Sequence, residues 1–167
     1  MVGYARARVR APKRGTLAPW VRIVRDGEAP AYDPKAAAPG TDGRIRSPAD
    51  VVRVLEPRVK REDVEVFYVL ILNSQSRLLA CAEVTRGILN SSLVHPREVF
   101  RLAVAFAAAG IIVAHNHPSG DPTPSADDRA VTRQLAESGR VLDIPVYDAL
   151  VIGGEGRYLS FAEAGLL

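Results

Sequence analysis

Two histidines and an aspartate, His115, His117 and Asp128, carry the richest chemistry in the chain. His115 and His117 leave the end of an apolar run, residues 110–114, that reads as a buried strand. In a strand, residues i and i+2 project to the same face. A Gly/Pro-rich loop follows, and then a helical pattern from Ser125 that puts Asp128 in its first turn. Two imidazoles on one face, with a carboxylate brought round by a loop, make three corners of a tetrahedral metal site. The fourth corner is left for water, the arrangement of a catalytic zinc site. Nitrogen and oxygen donors suit zinc or another borderline divalent ion. No cysteine lies in the cluster, which argues against a structural cysteine-type site. The competing reading of Asp128 is a charge that merely favours the positive end of a helix. Asp127 suits that part better, and Asp121 suits a loop cap.

The elements that must hold this cluster can be read on either side of it. Ser47-Pro48 opens a helix, with serine as N-cap and proline at the first helical position, and Pro57 is expected to end it. Residues 65–72 form a strand rich in β-branched and aromatic side chains. Residues 73–76 turn, and 77–85 return as a second, antiparallel strand. A helix begins at His95-Pro96 and is expected to run through the alanines 107–109 to a stop at Gly110. Ser125 caps a helix expected over 125–138, residues 144–152 form one or two strands, 157–160 a short edge strand and 161–167 a helical tail. The sum is an α/β domain over residues 47–167, a mixed sheet flanked by helices.

Residues 1–46 read as a basic, largely irregular arm. Residues 4–9 alternate like a short edge strand, residues 20–24 are a better strand, and Pro and Gly punctuate the rest. Arg6, Arg8, Arg10, Lys13, Arg14, Arg22 and Arg25 fall in the first 25 residues without an acid among them. That charge could meet phosphate, although no interleaved aromatics offer a stacking platform for single strands. Across 167 residues, 47% hydrophobic and 25% charged describe an ordinary globular protein. No apolar run approaches a membrane span and no secretory signal is evident, so the expected compartment is the cytoplasm. One cysteine, Cys81, excludes an internal disulfide and reads as a buried, inert thiol.

The string from His115 to Asp128, with His115-x-His117, Ser125 and Asp128 at their spacing, resembles the motif of the JAB/MPN metallopeptidases. The residues His115-Asn116-His117-Pro118-Ser119-Gly120-Asp121-Pro122-Thr123-Pro124-Ser125 are similar to the RadC-like branch in particular. Asn90, the run 94–98, Thr132 and Ser160 support the match. The resemblance implies a cytidine-deaminase-like JAB/MPN fold, Zn2+ held by His115, His117 and Asp128, and a metal-activated water that hydrolyses an amide bond of a protein or peptide substrate. It also implies a glutamate from an upstream strand as general base, with Ser125 either donating to the developing oxyanion or bracing the loop. Glu65, at the start of the first buried strand, fits the base best; Glu83 on the second strand is the alternative, and Glu98 suits a helix start. The His-x-Glu and Cys-x-x-Cys pattern of a zinc deaminase is missing, and three adjacent residues His-Asn-His are not the separated constellation of an HNH nuclease. In two respects the chain departs from the RadC-like pattern. Residues 1–46 do not resemble the helix-hairpin-helix domain often found ahead of it, and Asp148-Ala149 stands where an Asp-His pair is usual, leaving Asp148 as a candidate partner for a ligand histidine. The alternative function is a non-catalytic, metal-stabilised module that associates with nucleic acid through its basic arm.

Overall fold

The computed structural model describes residues 43–87 and 94–167, together with the backbone of Trp20–Arg22 and Tyr32–Asp33. The edge strand expected over 4–9, most of the basic arm and Asn90 lie outside the described residues.

A mixed sheet runs through the centre. Its strands are β1 (Trp20–Arg22), β2 (Tyr32–Asp33), β3 (Val66–Leu72), β4 (Leu78–Arg86), β5 (Gly110–Asn116), β6 (Val146–Ile152) and β7 (Tyr158–Ser160). Their order across the sheet is β2-β1-β4-β3-β5-β6-β7. The β1–β4 and β5–β6 pairs are parallel and the others antiparallel. Every residue of β3 and β5 is buried. β3 throughout and β5 as far as Ala114 are apolar without alternation, because helices cover both faces. On one face, α1 (Pro48–Val59) packs Val51, Val52 and Leu55 against Val66, Tyr68 and Leu70. On the other, α2 (Pro96–Ala105) and α3 (Ala126–Leu142) pack Val99, Phe100, Val131 and Leu135 against Phe67, Val69 and Val113. This is the JAB/MPN arrangement of a mixed sheet between helices.

Several boundaries differ from the sequence expectation, each for a tertiary reason. Pro57 lies inside α1, not at its end. It removes the one bond its N–H would have given to the Arg53 carbonyl, but only the last two residues of the helix follow it, and Val59 still packs on the core. Helix α2 stops at Ala105, not Gly110, and the reversal is made by Ala107 at φ 49. By Ala109 the chain is already bonded to Leu72 of β3. Gly110 is needed for another reason: a Cβ there would lie 2.3 Å from the Tyr147 ring. Helix α3 runs past Ser138 because Gly139 lets it approach Ile144 and Phe100, and Asp143 then closes it in the left-handed conformation. Residues 161–167 form consecutive turns, not a helix. Phe161 is buried and Gly165 has φ 66, so the tail folds back and cannot extend as a helix.

Candidate metal centre

The three predicted ligands come together at the end of β5. Burial of β5 on both faces fixes its register against β3, pairing His115 with Phe67. The two rings stack with centroids 6.0 Å apart at 13°. His117, two residues on, points to the same face. The loop 118–124 carries the chain across to α3, where Ser125 is the N-cap and Asp128 the third helical residue. Their reciprocal hydrogen bonds form a capping box: Asp128 N–H donates to Ser125 Oγ at 3.1 Å, and Ser125 N–H donates to Asp128 Oδ2 at 2.7 Å. The Ser125 hydroxyl also donates to Oδ2 at 2.7 Å. The helix start itself therefore aims the Asp128 carboxylate.

The candidate ligand atoms stand close together. His115 Nε2 and His117 Nε2 are 3.1 Å apart. His115 Nε2 lies 3.1 Å from Asp128 Oδ1, and His117 Nε2 lies 3.4 Å from Oδ2. Tetrahedral ligands on metal bonds of about 2.0–2.1 Å stand roughly 3.3 Å from one another, so the spacing of these groups suits a divalent ion. His117 Nδ1 donates to the Asp121 carbonyl at 2.7 Å, which turns the Nε2 lone pair toward the cluster. Asp121 thus contributes through its backbone, while its carboxylate accepts from Thr123 N–H and Oγ1–H within the turn. Asp127 is exposed and takes no part. Among the described residues this is the one group of three such side chains able to hold a metal.

The electrostatics follow from the geometry. Burial on its own would raise the Asp128 pKa, but hydrogen bonds from His115, His117 and Ser125 outweigh it and hold the carboxylate well below its ordinary range. The same Asp128 contact raises His117 above its usual 6.5 against partial burial, helped by the Asp121 carbonyl and the Glu65 charge. For the metal-free protein, Asp128 adds stability above the unfolded carboxylate pKa that is lost as pH falls through the lowered folded value. His117 adds stability below 6.5 that is lost as pH rises through its raised folded value. Metal binding has the opposite dependence, because the imidazoles must be deprotonated to ligate. In chelator, the melting temperature is expected to fall as pH rises above 6.5, and with a divalent metal present to rise over the same interval. Parallel pH series of thermal unfolding check this, and two curves of the same slope would contradict it.

The two candidate bases lie on opposite faces of the sheet. Glu83 pairs with Tyr68 on the α1 face, and its carboxylate oxygens accept from Arg86 Nε and Nη2, both at 2.9 Å. Glu65 precedes Phe67 by two residues and so falls on the face of His115 and His117, where its charge acts on His117. Glu98 pairs with Arg101 in the first turns of α2. Asp148 does not reach a histidine. It accepts from Ser160 Oγ at 2.6 Å, Ala149 N–H at 2.8 Å and Ala162 N–H at 3.0 Å, which anchors the C-terminal turns. Beside His117, a groove of about 270 Å³ opens between the second half of α1 and the turn containing Gly153 and Gly154.

Sequence reasoning overlooked Asn116, which the structure buries on the α1 side of the strand end. Its Oδ1 accepts from Val66 N–H and its Nδ2 donates to the Val64 carbonyl, both at 2.9 Å. Strand alternation between His115 and His117 already marks it as facing away from the metal ligands.

Since Ser125 gives its hydroxyl hydrogen to Asp128, Ser125→Ala is expected to weaken metal binding by roughly 10–100-fold, the usual effect of losing a group that orients a ligand. Loss of the cap also costs about 1 kcal/mol. Competition with a chromophoric chelator measures the first and thermal unfolding the second. An unchanged metal affinity would show that Ser125 does not orient Asp128.

Residues 45–166 match the model of the RadC-like JAB domain. A UPF0758 protein of Symbiobacterium thermophilum is 47% identical over 132 residues, covering 79% of this chain and 56% of the relative. One from Moorella thermoacetica is 50% identical over 123 residues, 74% of this chain and 53% of the relative. One from Methanosarcina acetivorans is 43% identical over 124 residues, 74% and 54% of the two chains. The chain spans about half the length of the curated relatives it matches. With a matching domain over most of its length and the His-His-Asp cluster in place, this chain belongs to the RadC-like JAB domain family.

Proposed function

We propose that the protein is a zinc-dependent metallopeptidase or isopeptidase that hydrolyses an amide bond in a protein or peptide substrate. The observation that carries this reading is the clustering of His115, His117 and Asp128 at the end of β5; Glu65, whose charge acts on His117, supports it. His115, His117 and Asp128 would hold the ion. When bound, zinc supplies a Lewis acid that brings the pKa of water toward neutrality. Glu65 accepts the proton of the attacking water on a carboxylate oxygen and returns it to the departing nitrogen. Ser125 keeps Asp128 oriented through its hydroxyl hydrogen. The groove beside His117 receives the substrate chain, and its wall is firm because Gly120, Gly153 and Gly154 pack closely on one another, with Gly154 N–H donating to the Gly120 carbonyl at 3.0 Å.

Incubating the zinc-loaded protein with a library of peptides and lysine-linked isopeptides, read by mass spectrometry, tests the proposal. Cleavage that stops with chelator and returns with zinc supports it. No cleavage by protein carrying one equivalent of zinc would count against an enzyme. The alternative, a non-catalytic module recruited to nucleic acid, draws on the cluster of arginines near the N-terminus. It predicts salt-dependent duplex binding that disappears when residues 1–18, which precede β1, are deleted.

A further inference from the structure

We infer that Asn116 is a positioning residue for Glu65, a role that rests on the reading of Glu65 as general base. The β3–β5 ladder ends at Phe67 and His115. One residue further on, the Asn116 side chain stands in for the next rung. It accepts from Val66 N–H and donates to the Val64 carbonyl, each at 2.9 Å. Val64 and Val66 flank Glu65. On the other edge, the Glu65 carbonyl accepts from Gly87 N–H at 2.8 Å, so residue 65 is held from both sides. A donor at i and an acceptor at i−2 lie on one edge of an extended chain, and a primary amide has the one acceptor and one donor needed to meet both.

The consequence is geometric. A strand end is where chains fray, and Glu65 is the residue just before β3 begins. With Asn116 buried and both its arms engaged, the backbone is pinned at Val64 and Val66, between the bend at 63–64 and the start of β3, and this fixes where the Glu65 side chain leaves the chain. The three residues His115-Asn116-His117 then divide two tasks between the two faces of one strand. The histidines hold the ion, and the asparagine between them fixes the distance from that ion to the carboxylate. The ion pair of Arg86 with Glu62 secures the preceding loop.

The test uses the cobalt-substituted protein, whose visible spectrum reports groups around the ion, with metal equivalents counted by mass spectrometry. Glu65→Gln is expected to alter the spectrum at constant metal content. Asn116→Leu is expected to alter it in the same sense, and the double variant to add nothing further. Asn116→Asp keeps the acceptor for Val66 N–H and lacks the donor to Val64, and it serves if the leucine variant does not fold. Amide exchange at Val66 in the leucine variant should accelerate by about tenfold or more, the scale of one lost hydrogen bond. If Glu65→Gln changes the spectrum and neither Asn116 variant does, the positioning role is wrong and the base assignment stands. If Glu65→Gln changes nothing, the base assignment fails and takes the role of Asn116 with it.

Discussion

Asp128→Ala is expected to abolish stoichiometric metal binding, with affinity falling by more than about 100-fold, beyond the roughly 10–100-fold effect of losing a supporting partner. Asp128 gives one oxygen to each imidazole, at 3.1 Å from His115 and 3.4 Å from His117, so no other described group can take its corner. The loss should appear as stability as well. Metal at about 100 times its Kd contributes about 2.7 kcal/mol to a protein that binds it only when folded, and the variant should gain none of this. Removing the carboxylate also breaks the capping box on α3, which itself costs about 1 kcal/mol. Asp128→Asn separates the two effects. An amide oxygen can still accept from Ser125 N–H, so the helix start survives, while the negative charge that favours the cation is gone. Metal content by mass spectrometry, with unfolding recorded in chelator and in excess metal, distinguishes the outcomes. Either variant retaining one tightly bound equivalent would remove Asp128 from the ligand set.

The ligands could be read from the chain because each is set by local rules. His115 and His117 share a face by strand alternation, and Ser125 and Asp128 sit at capping-box spacing, so two short stretches carry the arrangement. Only their meeting required the fold. The base could not be read in the same way. Glu65 stands just ahead of β3 and Glu83 within β4, and which face each one takes depends on pairing. The β3–β4 ladder shifts register between Phe67 and Tyr68, and a bulge of this kind leaves no local signature that separates the two glutamates. Asn116 was hidden for a related reason: its partners Val64 and Val66 are fifty residues away, a pairing no periodicity reveals. The misplaced boundaries share one cause. Pro57 and Gly110 read locally as helix stops and residues 161–167 as a helix, and packing of Val59, Tyr147 and Phe161 overrules these readings. The sheet survived those errors because β3 and β5 are buried on both faces, and their short apolar runs, rich in β-branched residues, suit central strands.

Glu65→Gln is the substitution that separates a metal site from a working enzyme. It is expected to lower peptide or isopeptide hydrolysis by about 10²–10⁴-fold, the usual contribution of a positioned acid–base group. That loss corresponds to roughly 3–5 kcal/mol of barrier. Metal content should stay at one equivalent, because Glu65 is not among the three ligands. The amide nearly matches the carboxylate in size and can still accept a hydrogen bond, but it cannot carry a proton from water to the departing nitrogen. Glu83→Gln is the matched control. Its carboxylate lies on the α1 face and is held by Arg86, which keeps Glu62 as a second partner. The expected cost is at most about 1 kcal/mol of stability, with hydrolysis by the zinc-loaded protein close to that of the unsubstituted chain. Measuring kcat and KM for both variants, alongside their zinc content, decides the assignment. An inactive Glu83→Gln beside an active Glu65→Gln would overturn the assignment of Glu65 and move the base to Glu83. Loss of activity in both, with zinc retained in both, would point to the Glu62–Arg86–Glu83 network as a support of the loop that delivers Glu65, because Arg86 joins those two acids just ahead of β3.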